Sequence, residues 1–342
     1  MDKLLTVVVP VYNTEKYLDK CLSSLVVSNY MDQLEVIVVI DGSPDNSINI
    51  ARKYKEKYPN SFIVIDKENG GHGSCCNVGL KESTGKYIRF LDSDDWFDEV
   101  GFPSFLNKLS TLEDVDIVQT NFSKFFSETH REIPSNLFHQ YVGLILNANE
   151  FDYGNFDYFV TLATTTFSRK CLLNAKIQFT EKAQFDDTIL YVQPLCFAEK
   201  MSFMDEVVYH YLIGRSNQSV GEITDKKLQF RRHEFQKLCN KYLKVRDSIS
   251  NQKRIYADRF IQKIVLEEYY CYSFYVPRQS RNLKMWHLYV KSLPFVNIRS
   301  MKYGLLYEKC PYLLLYILFS FRRCLKKILK RLRDIKKNNF LL

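Results

Sequence analysis

The sequence predicts an α/β fold: a doubly wound, mainly parallel sheet followed by a helical region. Three observations predict it. Near-continuous runs of β-branched and aliphatic residues recur through the first hundred positions, as in 4–9 and 34–40. Segments with apolar residues at helical spacing lie between them. The strand-like runs end in polar, acidic or glycine-rich turns. Strands buried on both faces read as unbroken apolar runs, the pattern of a parallel sheet covered by helices. Ligands of such sheets bind outside the carboxyl ends of the strands.

The elements come in order along the chain. Residues 4–9 form a first strand, interrupted at Pro10-Val11-Tyr12-Asn13. Thr14 is placed to cap a helix in which Tyr17, Leu18, Cys21, Leu22 and Leu25 share a face. Residues 34–40 form a second strand ending in Asp41-Gly42-Ser43, and Pro44-Asp45-Asn46-Ser47 opens a second helix. A third strand spans 62–65. Asn69-Gly70-Gly71-His72-Gly73-Ser74 leads into a helix over 77–82, and a fourth strand spans 87–91. The glycine loop lacks the Gly-Lys-Ser/Thr ending of a P-loop and does not come after the first strand, as a dinucleotide fingerprint would. It reads as a backbone cradle for a nucleotide or phosphate, or as a simple turn. A fifth strand spans 115–120, and a polar excursion rich in aromatic residues succeeds it. From Asp225 to about Val276 the pattern is that of two helices, with more helix after Arg281. The expected domains are therefore 1–220, catalytic or binding, and 221–342, helical, for acceptor recognition or homo-oligomer formation.

Bulk properties narrow the function classes. The 342 residues suffice for one large core and a smaller unit. Nine cysteines without CxxC spacing predict reduced thiols and count against zinc. The apolar N-terminal run is short and cut by Pro10, unlike a signal peptide, and no stretch reaches the ~20 apolar residues that span a bilayer. A cytoplasmic chain is expected. The net charge of +9 is concentrated in 322–337, which holds nine Lys or Arg and one Asp. There Leu325, Ile328, Leu329, Leu332 and Ile335 form an apolar stripe. A basic amphipathic helix of this kind suits an anionic membrane surface, at ~1 kcal/mol per basic residue. The stripe and the missing RNA-binding signatures count against nucleic acid. The expected location is the inner face of the plasma membrane, peripherally bound.

The fourth strand ends in Asp92-Ser93-Asp94-Asp95, three carboxylates within four residues. Such a cluster is costly unless a cation or hydrogen-bond donors neutralise it. Hard divalent cations, Mn²⁺ or Mg²⁺, take oxygen ligands of this kind and keep positions open for phosphate. The alternative is a solvated turn in which Asp95 caps a helix beginning near Trp96-Phe97.

Four motifs now stand in order: Val8-Val9-Pro10-Val11-Tyr12-Asn13, Asp41-Gly42-Ser43-Pro44-Asp45-Asn46-Ser47, Gly70-Gly71…Asn77-Val78-Gly79 and Leu91-Asp92-Ser93-Asp94-Asp95. Together they resemble the family 2 glycosyltransferases of GT-A fold, inverting enzymes of bacterial cell-surface glycan synthesis. The resemblance covers residues 1–220. It implies a UDP-sugar donor, with Asp41 at the uracil, Pro10, Tyr12, Gly71, Asn77 and Ser93 lining the nucleotide, Asp92 near the ribose and metal, and Asp94 on the metal. It implies an acceptor-activating carboxylate in Phe185-Asp186-Asp187-Thr188. The family usually shows Glu-Asp there, so Asp186 is a departure; Asp187 is expected as base and Asp186 as its neighbour. It also implies a diphosphate-binding closing loop, to which Arg215 and Ser219 correspond, although an arginine usually succeeds the tyrosine pair where Leu212 stands. His210 is a candidate third metal ligand.

The expected reaction moves a hexose or N-acetylhexosamine from a UDP-sugar to a hydroxyl of a glycan, lipid-linked or protein-linked acceptor. Two alternatives remain: a polyprenyl-phosphate glycosyltransferase, whose acceptor is already an anion, and a non-catalytic sugar-nucleotide or membrane-binding module.

Overall fold

A computed structural model describes residues 2–154, 156, 161–215, 224–274 and 283–296. Two compact units emerge: Met1–Ser219 with Phe230–Ala257, and Val220–Gln229 with Asp258–Leu342.

The first unit is built on a mixed sheet. Strands β1 (Leu5–Val11) and β2 (Leu34–Asp41) are buried along their whole length, which is why their sequences are apolar on both faces. They pair in parallel, and β3 (Phe62–Lys67) pairs in parallel with β2. The helices α1 (Glu15–Ser23), α2 (Ser47–Lys57) and α3 (His72–Glu82) connect them. β4 (Tyr87–Phe90) then pairs with the other side of β1. The chain thus runs outward from β1 to β3 and returns beyond β1, so the strand order reverses between β1 and β4. That switch point opens a crevice at the strand ends, where a ligand fits.

Beyond β4 the sheet departs from the mainly parallel expectation. β9 (Thr165–Ser168) lies antiparallel between β4 and β6 (Ile117–Phe126). β10 (Lys200–Ile213) pairs in parallel with β6, and the two-residue β5 (Trp96–Phe97) pairs antiparallel with β10. β7 (Arg131–Pro134) and β8 (Ile145–Asn147) add to β6 and β10. β6 continues past the expected end of the fifth strand because it serves β9 with residues 117–119 and β7 with 123–126.

The helix starts also differ in detail. Thr14 precedes α1 but its hydroxyl donates to Ser93 Oγ at 2.9 Å and caps nothing. The capping is reciprocal between neighbours: Glu15 N donates to Asp45 Oδ2 (2.8 Å), and Asn46 N donates to Glu15 Oε2 (3.0 Å). Asp95 is not a cap either. Asp98 takes that role before α4 (Gly101–Ser110), accepting from Val100 N and Gly101 N at 3.0 and 2.6 Å.

The aromatic excursion is core. Tyr141, Phe151, Tyr153 and Phe156 pack edge-on or tilted against one another and against Phe203 of β10. After α5 (Arg169–Asn174), the acid pair opens a 3-10 turn, Asp186–Tyr191, and then the short α6 (Gln193–Phe197). Phe185 enters that turn with φ of +62°. The expected C-terminal helices are α7 (Asp225–Val245), α8 (Asn251–Phe274) and α9 (Leu283–Ser292). In the second unit Trp286 and Val290 of α9 are buried. Among the described residues no helix is long and apolar enough to cross a membrane. The basic segment 322–337 lies outside the described residues.

Candidate active site

The acidic turn stands at the switch point. Leu91 N donates to Val8 O (3.0 Å), so β4 remains tied to β1 up to Asp92. Ser93 is buried and bonded to Thr14, which pins the turn to the start of α1. Tyr209 of β10 donates its hydroxyl to Asp95 Oδ2 (2.6 Å) and accepts from Asp92 N (3.3 Å), while Leu212 N donates to Asp95 Oδ1 (2.8 Å). Asp94 is ion-paired with Arg215, whose Nε donates to Oδ2. The Asp92 side chain is half-exposed. Each of the three acids offers an oxygen, and these lie within 4.8 Å of one another. Burial and the charge of Asp92 push the Asp94 carboxyl up, with Arg215 opposing. The same two causes, with Asp94 added, hold Asp95 well above the usual range.

The residues expected to line the nucleotide stand at or near the neighbouring strand ends. Pro10 lies in β1 opposite Val39, and Tyr12 comes just after the strand with 52% of its surface exposed. Asp41 ends β2, buried, with its carboxylate accepting from Lys67 Nζ (2.7 Å), Gly70 N and Gly71 N (both 2.8 Å). Burial alone would raise its pKa; the two amides and the ammonium outweigh that and hold it below the usual carboxylate range. Asp41 thus shapes the glycine loop. Gly71 has φ of +84°, and a Cβ there would come within 3.0 Å of Lys182 N. A side chain at 71 is disfavoured by the backbone conformation and crowded by Lys182.

The loop presses on the chain that carries the acid pair. Lys182 N donates to Gly70 O (2.7 Å). Asn77 holds Phe179 by both backbone groups: its Nδ2 donates to Phe179 O (3.0 Å), and Phe179 N donates to its Oδ1 (2.8 Å). Asn77, expected to line the nucleotide, clamps this segment with its side-chain amide. Thr180 Oγ1 donates to Glu234 Oε2 (2.6 Å) and accepts from Lys237 Nζ (2.8 Å), so α7 grips the same segment. Asp186 is buried with Oδ2 2.9 Å from His72 Nδ1, and His72 Nε2 lies 3.4 Å from Asp92 Oδ1. Asp187 accepts the hydroxyl hydrogen of Tyr191 at Oδ2. Burial raises the Asp187 carboxyl to about 6, the Tyr191 hydrogen bond pulling it down and Asp186 adding to the rise.

His210 has other neighbours than those expected of a metal ligand. Its ring stacks on Trp96 (5.2 Å, 11°), Nε2 is 2.9 Å from Asp98 Oδ2, and Nδ1 is 3.1 Å from Glu132 Oε1. The acid cluster at the turn consists of Asp92, Asp94 and Asp95 without it. Ser219 lies outside the described residues.

Four participants are silent in the sequence motifs: His72, Tyr191, Tyr209 and Thr14. Tyr191 alone has a local signal, standing four residues after Asp187 on a helical stretch. The others meet their partners across 79 to 117 residues of chain.

The sequence and the fold have known counterparts. Residues 6–171 match the model of glycosyl transferase family 2. The minor teichoic acid biosynthesis protein GgaB of Bacillus subtilis is 32% identical over 218 residues, 63% of this chain and 23% of that protein. The poly(ribitol-phosphate) beta-N-acetylglucosaminyltransferase TarS of Staphylococcus aureus is 27% identical over 221 residues, 62% of this chain and 36% of TarS. The chain therefore spans well under half the length of these relatives. A crystal structure of TarS 1–349 in complex with UDP-GlcNAc superposes with a TM-score of 0.65 at 20% identity, covering 86% of this chain and 82% of the other. That likeness shows a shared fold.

Proposed function

Residues 6–171 match glycosyl transferase family 2, and from that premise we propose that the chain transfers a hexose or N-acetylhexosamine from a UDP-sugar to a hydroxyl of a cell-surface glycan, with inversion at the sugar carbon. One observation carries this reading: His72 stands between Asp92 and Asp186, so the acids of the donor side and those of the acceptor side enclose one site. The relatives named for teichoic acid and poly(ribitol-phosphate) chemistry support an acceptor of the cell-wall polymer class.

The chemistry rests on the residues. Tyr12, exposed beside the Asp41-ordered loop, offers a flat face for a nucleobase. The hard oxygen donors Asp94 and Asp92 fit Mn²⁺ or Mg²⁺, which when bound would supply positive charge at a diphosphate. Arg215, now on Asp94, offers a planar donor for the same phosphate oxygens. Asp187, with a carboxyl near 6, is ionised at neutral pH and basic enough to take the proton of an acceptor hydroxyl. Attack from that side, opposite the leaving nucleotide, inverts the sugar carbon, as in an inverting glycosidase with a hydroxyl in place of water. Placement at the inner face of the plasma membrane through the basic segment belongs to the same proposal, supported by its charge and apolar stripe.

The test is UDP release from a panel of UDP-sugars with Mn²⁺, Mg²⁺ or EDTA, with and without poly(ribitol-phosphate) acceptor. One donor is expected to react in the presence of metal, and Asp94→Ala is expected to lose roughly 100-fold or more. Release that is indifferent to both metal and Asp94 overturns the reading.

A further inference from the structure

We propose that Tyr191 is the positioning residue for Asp187: its hydroxyl holds Oδ2, leaving Oδ1 to meet the acceptor hydroxyl. This rests on the reading of Asp187 as the base. Among the described residues the Tyr191 hydroxyl is the one hydrogen-bond donor to that carboxylate. The 3-10 turn carries both side chains, and its own bonds fix their relation. Phe185 enters in the left-handed region, Thr188 N and Oγ1 both donate to Phe185 O, and Tyr256 of α8 donates its hydroxyl to Tyr191 O at 3.0 Å. Tyr256 is itself packed edge-on against Tyr153 (5.3 Å). The donor is thus held from behind by a buried aromatic pair, while Asp187 stays partly open in front.

The hydrogen bond does more than aim. Asp187 is faced by Asp186 from its own turn, by His72 from α3, by Asp92 from the acidic turn and by Tyr191. Burial and the two acids disfavour its charge, so the Tyr191 hydroxyl is a main group that keeps it ionised. Tyr191 does not compete for that role as a base, because burial and Asp187 hold its own hydroxyl well above the ordinary tyrosine range. It remains a donor throughout the working pH range.

The sign of the effect is fixed by the chemistry. A base works above its pKa, so turnover rises with pH through the Asp187 carboxyl. Losing the donor destabilises the carboxylate, raises that pKa and moves the acid limb to higher pH. Tyr191→Phe in the full chain, assayed with the UDP-sugar found active, is expected to lower kcat about tenfold on the acid limb and to shift that limb up by about one pH unit. The donor KM and the UDP affinity stay at wild-type values. An acid limb at its wild-type position overturns the proposal, since a merely structural role lowers activity without moving it. Should Tyr191→Phe fail to bind UDP, 3-fluorotyrosine placed at 191 decides instead. Its more acidic hydroxyl donates more strongly and must move the limb down; an unmoved limb overturns the proposal. Asp187→Asn separates the two readings. Full transfer by Asp187→Asn ends the base assignment itself, whereas an inactive Asp187→Asn beside a wild-type-like Tyr191→Phe ends the Tyr191 assignment alone.

Discussion

At the scale of the residue, Arg215 and Asp94 occupy each other. A guanidinium on a carboxylate is an internal counter-ion, and it competes with any cation that the same carboxylate binds. Two ligands should therefore respond to Arg215→Ala in opposite directions. Mn²⁺ alone is expected to bind several-fold more tightly, measured by the loss of the free-ion electron paramagnetic signal, because Asp94 no longer has to release its partner. UDP in the presence of Mn²⁺ is expected to bind several-fold more weakly, because the phosphate loses a planar donor. Parallel weakening of both would assign Arg215 to holding the turn together rather than to exchange between ligands. The acids at the turn were legible in the sequence because three carboxylates so close together have few uses. The division of labour among them was not. Asp95 is committed to β10 through Tyr209 and Leu212, and no local pattern announces a partner 117 residues away.

At the scale of the element, α3 is the hinge between the two halves of the site. It can lie against β1 and the acid-pair segment because its inner face lacks side chains at two places. A Cβ on Gly79 would overlap the Val8 methyl groups, and one on Gly73 would overlap the Thr180 carbonyl and the Asp186 carboxylate. The two substitutions should have different costs. Gly79→Ala forces helix and strand apart in a filled core and should lower unfolding stability by about 1–3 kcal/mol in urea denaturation. Gly73→Ala presses on the Thr180 backbone and displaces Asp186, so it should lower stability as well and, in addition, abolish transfer in the protein that still folds and binds UDP. The parallel strands around α3 were legible because burial on both faces demands unbroken apolar runs. β9 was not: Thr165-Thr166-Phe167-Ser168 is four residues without alternation, and its place between β4 and β6 is set by pairing on both edges. The two-residue β5 is likewise defined by β10. The clamp that Asn77 makes on Phe179 was not legible, since its partner lies 102 residues away.

At the scale of the whole molecule, the compact catalytic unit takes in residues 230–257 as well as those up to 219. The motifs end near 220, and motif spacing carries no information about which later helix closes the core. α7 holds Thr180 through Glu234 and Lys237. The buried Lys253 of α8 donates to Ala198 O (2.6 Å), and Tyr256 holds Tyr191. A chain cut after residue 220 would strip these bonds and uncover the faces that Phe235, Leu238 and Tyr242 bury. It is expected to lose its cooperative thermal transition and its near-ultraviolet circular dichroism. A sharp transition at the full-length temperature would show instead that the first 220 residues are self-sufficient.

The bonds between α3 and residues 179–182 also limit how such a protein can be recombined. Three bonds join backbone groups of Phe179 and Lys182 to Asn77 and Gly70, and Gly73 admits that segment only at contact distance. A graft that imports a foreign acceptor half beginning after β4 would inherit a loop shaped for a different helix. A crossover before α3, near residue 68, lets helix and acid pair travel together, and it must then preserve Asp41 for the Gly70 and Gly71 amides and Val8 for Gly79. Strands β1 to β3 then stay behind.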